Sequence, residues 1–490
     1  NGEYWGIQNI REKVNEDFLA NHHHLDPDDI IILEANGASV EGDPASYWEL
    51  INYIENNDLT KDEHYAYVQN HMDVFNFAQY QIGNIFIDNT DWPGNNIKFW
   101  KENKPGAKWR WITYDTDFGF GVYGAENYYN NTLSFAMDPN GPGWPNPAWS
   151  TFLLRNLLKN ENFKTLFINS FADQLNTALS SRETLAKINA LSDEIATEIA
   201  DHMSRWGGNY NNWLYQVSVM KTFAEKRPQY MRQHIRSQFG LSGEHTLTVN
   251  SSNLNHGAVQ VNALVIDEQD WKGIYFQGVP VRLSAFSNGG KFVRWEGDVT
   301  GTQPEIFLDL TQDMNVTAIF ESGSGNDIVI NEINYKSGEN LDTEDWVELH
   351  NPNNAAMDLT GWVFRDGDDE NSFIIPDGTV IGAGGYLVIA KDLGAYGSFH
   401  STANNVLGEL EFGFSSDGEC LRLFDATGKS IDEVCYLSSA PWPTAPAGDG
   451  FSLALDNPLL DNSKSESWYA HPNGGTPGYA NREVTLSVPS

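Results

Sequence analysis

Asp91, Asn96, Asp115 and Asp117 are the residues of this chain whose types and spacing suit a chemical reaction. Phosphoryl transfer from a nucleotide needs a carboxylate that orients or deprotonates the attacking hydroxyl. It also needs oxygen ligands that hold Mg2+ against the β- and γ-phosphates. Asp91 and Asn96 stand in the Asp-x-x-x-x-Asn spacing in which the Asp faces an acceptor and the Asn reaches back to a metal. Further on, Trp109 to Tyr114 alternates bulky with small or polar side chains. It reads as a short strand that delivers Asp115-Thr116-Asp117-Phe118-Gly119 at its end. Residues two apart on a strand share a face, so a persisting extension would aim Asp115 and Asp117 at one cation. Like charges that close repel one another without such a cation. Taken singly, each half has a plainer reading: chance spacing in an acidic chain, and a solvated turn.

The elements around these residues must hold them in place. Met72 to Gln81 reads as an aromatic helix through Phe75, Phe77 and Tyr80, leading to Ile85-Phe86-Ile87 just before Asp91, and such a stripe is core. Asp43 to Asn70 is helical by the spacing of Tyr47, Leu50, Ile51 and Ile54. Asp29 to Leu33 is a short buried strand. Residues 1–10 carry two strand-like pieces around Gly2 and Gly6, and Ile7 to Leu19 turns helical. Glu12 is there a candidate partner for a phosphate-binding Lys upstream of this chain, with an ordinary surface charge as the alternative. His22-His23-His24 reads as a polar helix end. After Gly124 a loop rich in Asn, Pro and Gly runs to Pro147, either a candidate acceptor surface or a plain excursion. Phe152 to Leu158, Phe163 to Leu179, Leu185 to Arg205 and Trp213 to Phe239 are amphipathic helices.

At Gly240-Leu241-Ser242-Gly243 the periodicity changes to two-residue alternation, which marks a boundary. Short strands follow at His245–Val249, Gly257–Val261, Val279–Leu283, Phe292–Trp295 and Asn315–Phe320. Ser322-Gly323-Ser324-Gly325 is a flexible linker. Beyond it, Asp345 to Asn351 alternates so that Val347 and Leu349 point inward and Glu348 and His350 outward. Cys420 and Cys435 are the two cysteines and flank two strands about the turn Asp425 to Gly428, where regular register would let them bridge. Two buried reduced thiols are the alternative. Asp366-Gly367-Asp368-Asp369-Glu370-Asn371 loosely resembles a Ca2+ loop without the full ligand series, or is an acidic turn. The tail from Val484 reads as a further strand or linker.

With 490 residues the chain has room for several domains. Its 30 Lys and Arg against 67 Asp and Glu leave a formal charge of −37, which argues against sequence-independent nucleic-acid binding and against anionic membranes. No apolar run is long enough for a transmembrane segment. The charge suits an exported protein whose acidity is partly offset by divalent cations. The first residue is Asn and the chain opens inside a motif, so further sequence is expected upstream, and the lack of a signal peptide here says little.

Residues 1–241 resemble the CotH family of atypical, secreted or spore-coat protein kinases. The resemblance lies in Asn1 to Ile7 with Arg11-Glu12-Lys13, Asp73-Val74-Phe75-Asn76-Phe77, Asp91-Trp92-Pro93-Gly94-Asn95-Asn96, and Trp111 to Phe120. It implies a kinase-like fold, lacking its N-terminal part here, that binds ATP with Mg2+ or Mn2+ and phosphorylates Ser or Thr of a protein. By position it implies Asp91 as the catalytic carboxylate, Asn96 as a metal ligand, and Asp115, with Asp117 second, as the metal-binding Asp. Gly289 to Gly297 with Val316 to Phe320 is similar to a small bacterial β repeat of surface proteins. Ile328 to Ile333, Asp345 to Asn351, Leu359 to Trp362 and Gly385 to Ala390 are closely similar to the lamin-tail domain, an immunoglobulin-like sandwich.

The expected fold is multidomain α+β. A mainly helical kinase-like domain (1–241) precedes a small all-β domain (245–321) and an immunoglobulin-like β-sandwich (327–482). The expected function is an exported or cell-surface protein kinase whose β domains attach or space it, with a protein substrate and a cell-surface or cell-wall component as partners. A non-catalytic adhesion protein that keeps the kinase-like domain as scaffold is the alternative, and a two-metal hydrolase is a third reading.

Overall fold

The computed structural model describes residues 2–23, 25–104, 106–287, 290–322, 328–338, 341–353, 355–400, 405–458 and 460–481. Asn1, His24, Gly289, the linker from Gly323 onward and the tail from Val484 lie outside the described residues. The chain divides into two compact units. One comprises Asn1–Thr246 with Gly273–Val281 and Asp309–Gln312; the other comprises Leu247–Lys272, Arg282–Leu308 and Asp313–Ser490.

The first unit opens with irregular chain and then α1 (Glu16–His23). The helix expected from Ile7 thus begins at Glu16, and no strand forms among the described residues around Gly2 or Gly6, whose φ angles are 77° and 87°. Long-range contacts replace a ladder there: the Ile7 amide donates to His202 Nδ1 at 3.0 Å and Trp206 Nε1 to the Trp5 carbonyl at 2.8 Å.

Strands β1 (Ile30–Glu34) and β2 (Ala38–Glu41) precede helices α2 (Ala45–Asn56), α3 (Asp62–His71) and α4 (Val74–Phe86). Strands β3 (Lys98–Glu102) and β4 (Arg110–Ile112) complete an antiparallel sheet of order β2-β1-β3-β4. Phe77 and Tyr80 of α4 are core, as expected, whereas Phe75 is only partly buried. Phe77 meets Trp111 at 4.7 Å, and Phe99 stacks on the same ring at 5.3 Å.

The helical remainder is α5 (Thr132–Ala136), α6 (Phe152–Leu157), α7 (Glu161–Asn176), α8 (Ser181–Ile195), α9 (Ile199–Trp206) and α10 (Tyr210–Phe239). Leu185 to Arg205, read as one helix, is divided between α8 and α9. Asn160 caps α7 by accepting from the Asn162 and Phe163 amides, and α10 stops at Gly240, which takes the left-handed conformation (φ 65°) that suits a glycine. Segment 273–281 belongs to this unit because Tyr275 donates to Asp173 Oδ1 at 2.7 Å and Asn176 Nδ2 to the Ile274 carbonyl at 3.2 Å.

In the second unit, Gly257–Val261 pairs with Leu264–Ile266 and with Val281–Ser287, and Met314–Ser322 pairs with Gly290–Gly297. Leu264–Ile266 and Glu305–Leu308 are too short to show an alternation and went unread in the sequence.

The rest of the unit is a sandwich of the immunoglobulin-like kind, built of two main sheets with a short two-stranded sheet, Met357–Asp358 and Val380–Ile381, beside them. A six-stranded sheet has the order Val406–Leu407, Tyr386–Ala390, Trp346–His350, Val329–Asn334, Ser452–Leu455, Trp468–His471. A four-stranded sheet has the order Ser372–Ile374, Val363–Arg365, Gly418–Phe424, Ser430–Leu437. Ile330, Leu349 and Ile389 from the first sheet share a core with Phe364, Leu423 and Val434 from the second.

Cys420 and Cys435 stand opposite one another in the Gly418–Phe424 and Ser430–Leu437 pair and form a disulfide. Glu348 and His350 do not face outward: Glu348 is fully buried and His350 nearly so. Their strand lies inside the sheet, and its second face is covered by a cluster of Trp346, Val388, Ala390 and Tyr396, the last from the helix Leu393–Phe399.

Candidate active site

Helix α4 positions both halves of the site. Its N-cap Asp73 accepts from the Asn76 amide at 2.9 Å and pairs with Arg110 at 3.2 Å. One turn in, Asn76 reads the backbone of β4 in both directions: Oδ1 accepts from the Trp111 amide at 2.6 Å and Nδ2 donates to its carbonyl at 3.3 Å. This side chain ties α4 to the middle residue of β4, four residues before Asp115.

At the other end of α4, Ile87 and Thr90 lie along the second half of the motif. The Phe120 amide donates to the Ile87 carbonyl at 2.8 Å, and the Thr90 hydroxyl donates to the Phe118 carbonyl at 3.3 Å. The two stretches singled out in the sequence are therefore joined backbone to backbone.

Asp91 is half-buried, and both of its oxygens are held by amides: Oδ1 by Asn95 Nδ2 at 2.8 Å and Oδ2 by Asn96 Nδ2 at 2.9 Å. Asn96 Nδ2 also points at the Asp115 carbonyl, 3.4 Å away. The intervening Trp92 is fully buried, its Nε1 donating to the Tyr80 hydroxyl at 3.1 Å, and that hydroxyl in turn donates to the Asn96 carbonyl at 3.4 Å. Trp92 and Tyr80 thus anchor the turn that carries Asp91. Tyr114 borders the same carboxylates. Burial, followed by the charges of Glu34, Asp115 and Asp91, pushes its phenol up to about 12. Lys98 brings a cation over the Tyr114 ring at 5.4 Å.

The strand before Asp115 is shorter than its alternation suggests, ending at Ile112, and Asp115 has a φ of 51°. That left-handed residue breaks the extended run, so the two-residue rule does not aim Asp115 and Asp117 at a common point. Both are exposed. Of the predicted residues, Asp91 and Asn96 meet through their side chains, and Asn96 reaches Asp115 at its main-chain carbonyl. Glu12 is exposed and pairs with His22 at 3.1 Å.

The donor set fits a hard divalent cation. Mg2+ and Mn2+ take oxygen ligands, commonly one or two carboxylates completed by phosphate oxygens and water. Asp115, whose main-chain carbonyl lies 3.4 Å from Asn96 Nδ2, and the Asn96 amide oxygen could supply such ligands. Among the described residues, a trio of His, Cys, Asp or Glu donors within 4.8 Å of one another occurs only at Cys420, Glu433 and Cys435, so no all-carboxylate cage surrounds Asp91. In the Asp366 loop, Arg422 donates to Asp369 at 2.8 Å and to the Asp366 carbonyl at 2.6 Å, so a guanidinium already meets that acidic turn.

Residues missed in the sequence surround the site. Asn95 holds Asp91, while Asn84 and Asn89 bond to each other at 2.9 Å beneath it. The run of Asn about Asp91 was the signal available for these.

Residues 1–231 match the family described as CotH kinase protein, and residues 321–438 match the Lamin Tail Domain. The six-stranded sheet continues beyond that second match with Ser452–Leu455 and Trp468–His471. No curated protein matches the chain. Among solved structures, a DUF4876 family protein from Bacteroides thetaiotaomicron is 10% identical, over 50% of this chain and 97% of that one. Its TM-score of 0.24 carries no argument about fold or function. No helix among the described residues is long and apolar enough to cross a membrane. The chain is a multidomain protein that carries a CotH-family domain over residues 1–231 and a Lamin Tail Domain over residues 321–438.

Proposed function

We propose that the CotH-family domain is an atypical protein kinase that transfers the γ-phosphoryl group of ATP to a Ser or Thr of a protein acceptor. The protein is exported, and its β domains attach or space the kinase at a cell surface. The observation that carries this reading is the meeting of Asp91, Asn96 and Asp115 across two backbone-linked stretches.

In this mechanism Asp91 receives the acceptor hydroxyl as a hydrogen-bond donor, orients its oxygen and takes its proton as the phosphoryl group is transferred. Asn95 and Asn96 fix the carboxylate plane, so no reorganisation is needed when the acceptor arrives. Asn96 and Asp115, with Asp117 as second candidate, would hold Mg2+ or Mn2+, which supplies charge neutralisation of the triphosphate. Tyr114, kept neutral at physiological pH, borders these groups without adding a further negative charge. Export is supported by the Cys420–Cys435 disulfide, since such bonds persist in oxidising compartments.

Nucleotide binding tests the division of labour. Asp115→Ala is expected to weaken Mg-ATP binding at least tenfold with the fold intact, whereas Asp91→Asn is expected to bind Mg-ATP as the parent does. Equal affinity in the parent and Asp115→Ala, measured by calorimetry, would reject the metal assignment.

A further inference from the structure

Arg227 on α10 is fully buried against the C-terminal end of α4, which leads to the Asp91 turn. A buried guanidinium is tolerated when its N–H groups are engaged, and here they are. Nε donates to the Phe86 carbonyl at 2.8 Å; Nη2 donates to the Ile85 carbonyl at 2.7 Å and to Thr132 Oγ1 at 2.9 Å. Nη1 donates to the carbonyls of Tyr128 at 3.1 Å and Asn130 at 2.6 Å. Ile85 and Phe86 end α4, where carbonyls lack helical partners and a cation suits the dipole.

Asp88 answers from the other side. Its Oδ1 accepts from the Thr132 hydroxyl and its Oδ2 from Asn130 Nδ2 at 2.9 Å. One hydroxyl therefore donates to Asp88 while accepting from Arg227. Asp88 is also the residue at which the chain leaves α4 for Asp91, and it does so with a φ of 58°. A residue with a side chain adopts that conformation where its surroundings hold it there. Asn89 continues the linkage, its amide donating to the Asn84 carbonyl at 3.1 Å and its Oδ1 accepting from the Asp91 amide at 3.2 Å. Beyond Asp91, the Gly94 amide donates to the Pro145 carbonyl, and a Cβ at Gly94 would lie 2.3 Å from that oxygen. The segment 128–147 therefore clasps the Asp91 turn on both sides.

We propose that Asp88, Thr132 and Arg227 form a buried hub whose role is to position the Asp91 carboxylate, with the Gly94–Pro145 contact as the opposite fastening. This rests on the reading of Asp91 as the catalytic carboxylate. The three are positioning residues: they touch neither nucleotide nor acceptor and act through the backbone from Ile85 to Asp91. Reaction rates fall steeply with displacement of a reacting group, by about a hundredfold for an error near 1 Å.

Thr132→Val removes the bridging hydroxyl at nearly constant volume, Thr132→Ser keeps it, and Asp88→Asn removes the charge at constant shape. The full chain with each change is examined by amide hydrogen exchange and by transfer from labelled ATP to casein. Thr132→Val and Asp88→Asn are expected to speed exchange of the amides of residues 87–96 at least tenfold, with the helical remainder still protected. They are also expected to lower kcat about a hundredfold at unchanged KM for ATP. Thr132→Ser is expected to match the parent in both. Exchange of residues 87–96 at the parent's rate in folded Thr132→Val and Asp88→Asn would overturn the proposal. A general rise in exchange across the domain would also overturn it, by making the hub an ordinary stabilising contact. A parent protein inactive towards casein would count against the kinase reading, and the exchange result would still decide the hub.

Discussion

A Cβ at Gly119 would lie 2.9 Å from the Ile87 carbonyl oxygen and 3.1 Å from its Cγ1, so the stretch after Asp115 can lie along Ile87 to Thr90 only where residue 119 lacks a side chain. The prediction at this scale is that Gly119→Ala pushes Phe118 off Thr90 and separates Asp115 from Asn96. Mg-ATP affinity is expected to fall at least tenfold while the second unit melts unchanged; affinity equal to the parent's would contradict it. Asp91, Asn96 and Asp115 were singled out as candidates because residue type and short spacing suggest that chemistry. Arg227 and Asp88 were not. The carbonyls that Arg227 gathers belong to residues 97 to 142 positions away in the chain, and no local pattern reports such a partner. The extended backbone expected through Asp115 and Asp117 is interrupted for a local reason, the left-handed conformation at Asp115, which residue type alone does not announce.

Helices with strong apolar spacing, such as α2 and α4, were legible as elements because one buried face imposes a period on the sequence. The strand Trp346–His350 has alternation too, yet alternation reports one buried face and says nothing of whether a helix covers the other. The consequence is a pair of buried carboxylates, Glu332 and Glu348, directly opposite in register on adjacent strands. Glu332 accepts from Ser452 and from the Thr476 amide at 3.2 Å, and Glu348 from Asn331 Nδ2 at 2.8 Å and the Gly478 amide at 2.5 Å. Burial pushes Glu332 up to about 8, and burial with the neighbouring Glu332 pushes Glu348 well above the usual carboxylate range. Both folded-state values lie above the unfolded ones, so the native unit binds more protons than the unfolded chain between pH 4.5 and about 8. The stability these protons supply is present below that window and is lost as pH rises through it. Glu348→Gln, which carries no titrating proton, is expected to gain stability relative to the parent as pH goes from 5 to 8. Thermal unfolding of both proteins across that range checks it; a constant difference would contradict the assignment.

The whole molecule joins a CotH-family domain to β domains closed by a sandwich that carries the disulfide. The passage from the helical CotH-family domain to β structure was legible because the change of period at Gly240 is a change of architecture. The division into compact units was less so, since residues 273–281 and 309–312 pack with the helical unit although they follow its last helix in the chain. The formal charge of −37 argues against binding to polyanions, and the proposed chemistry is assigned to the Asp91 turn. The most direct test of the account is incorporation of labelled phosphate from Mg- or Mn-ATP into a protein acceptor by the full chain, beside Asp91→Asn and Asp115→Ala. The account predicts incorporation by the parent and a fall of about a hundredfold or more in each variant. Undiminished incorporation in Asp91→Asn, or none by a parent that also binds no nucleotide, would contradict it.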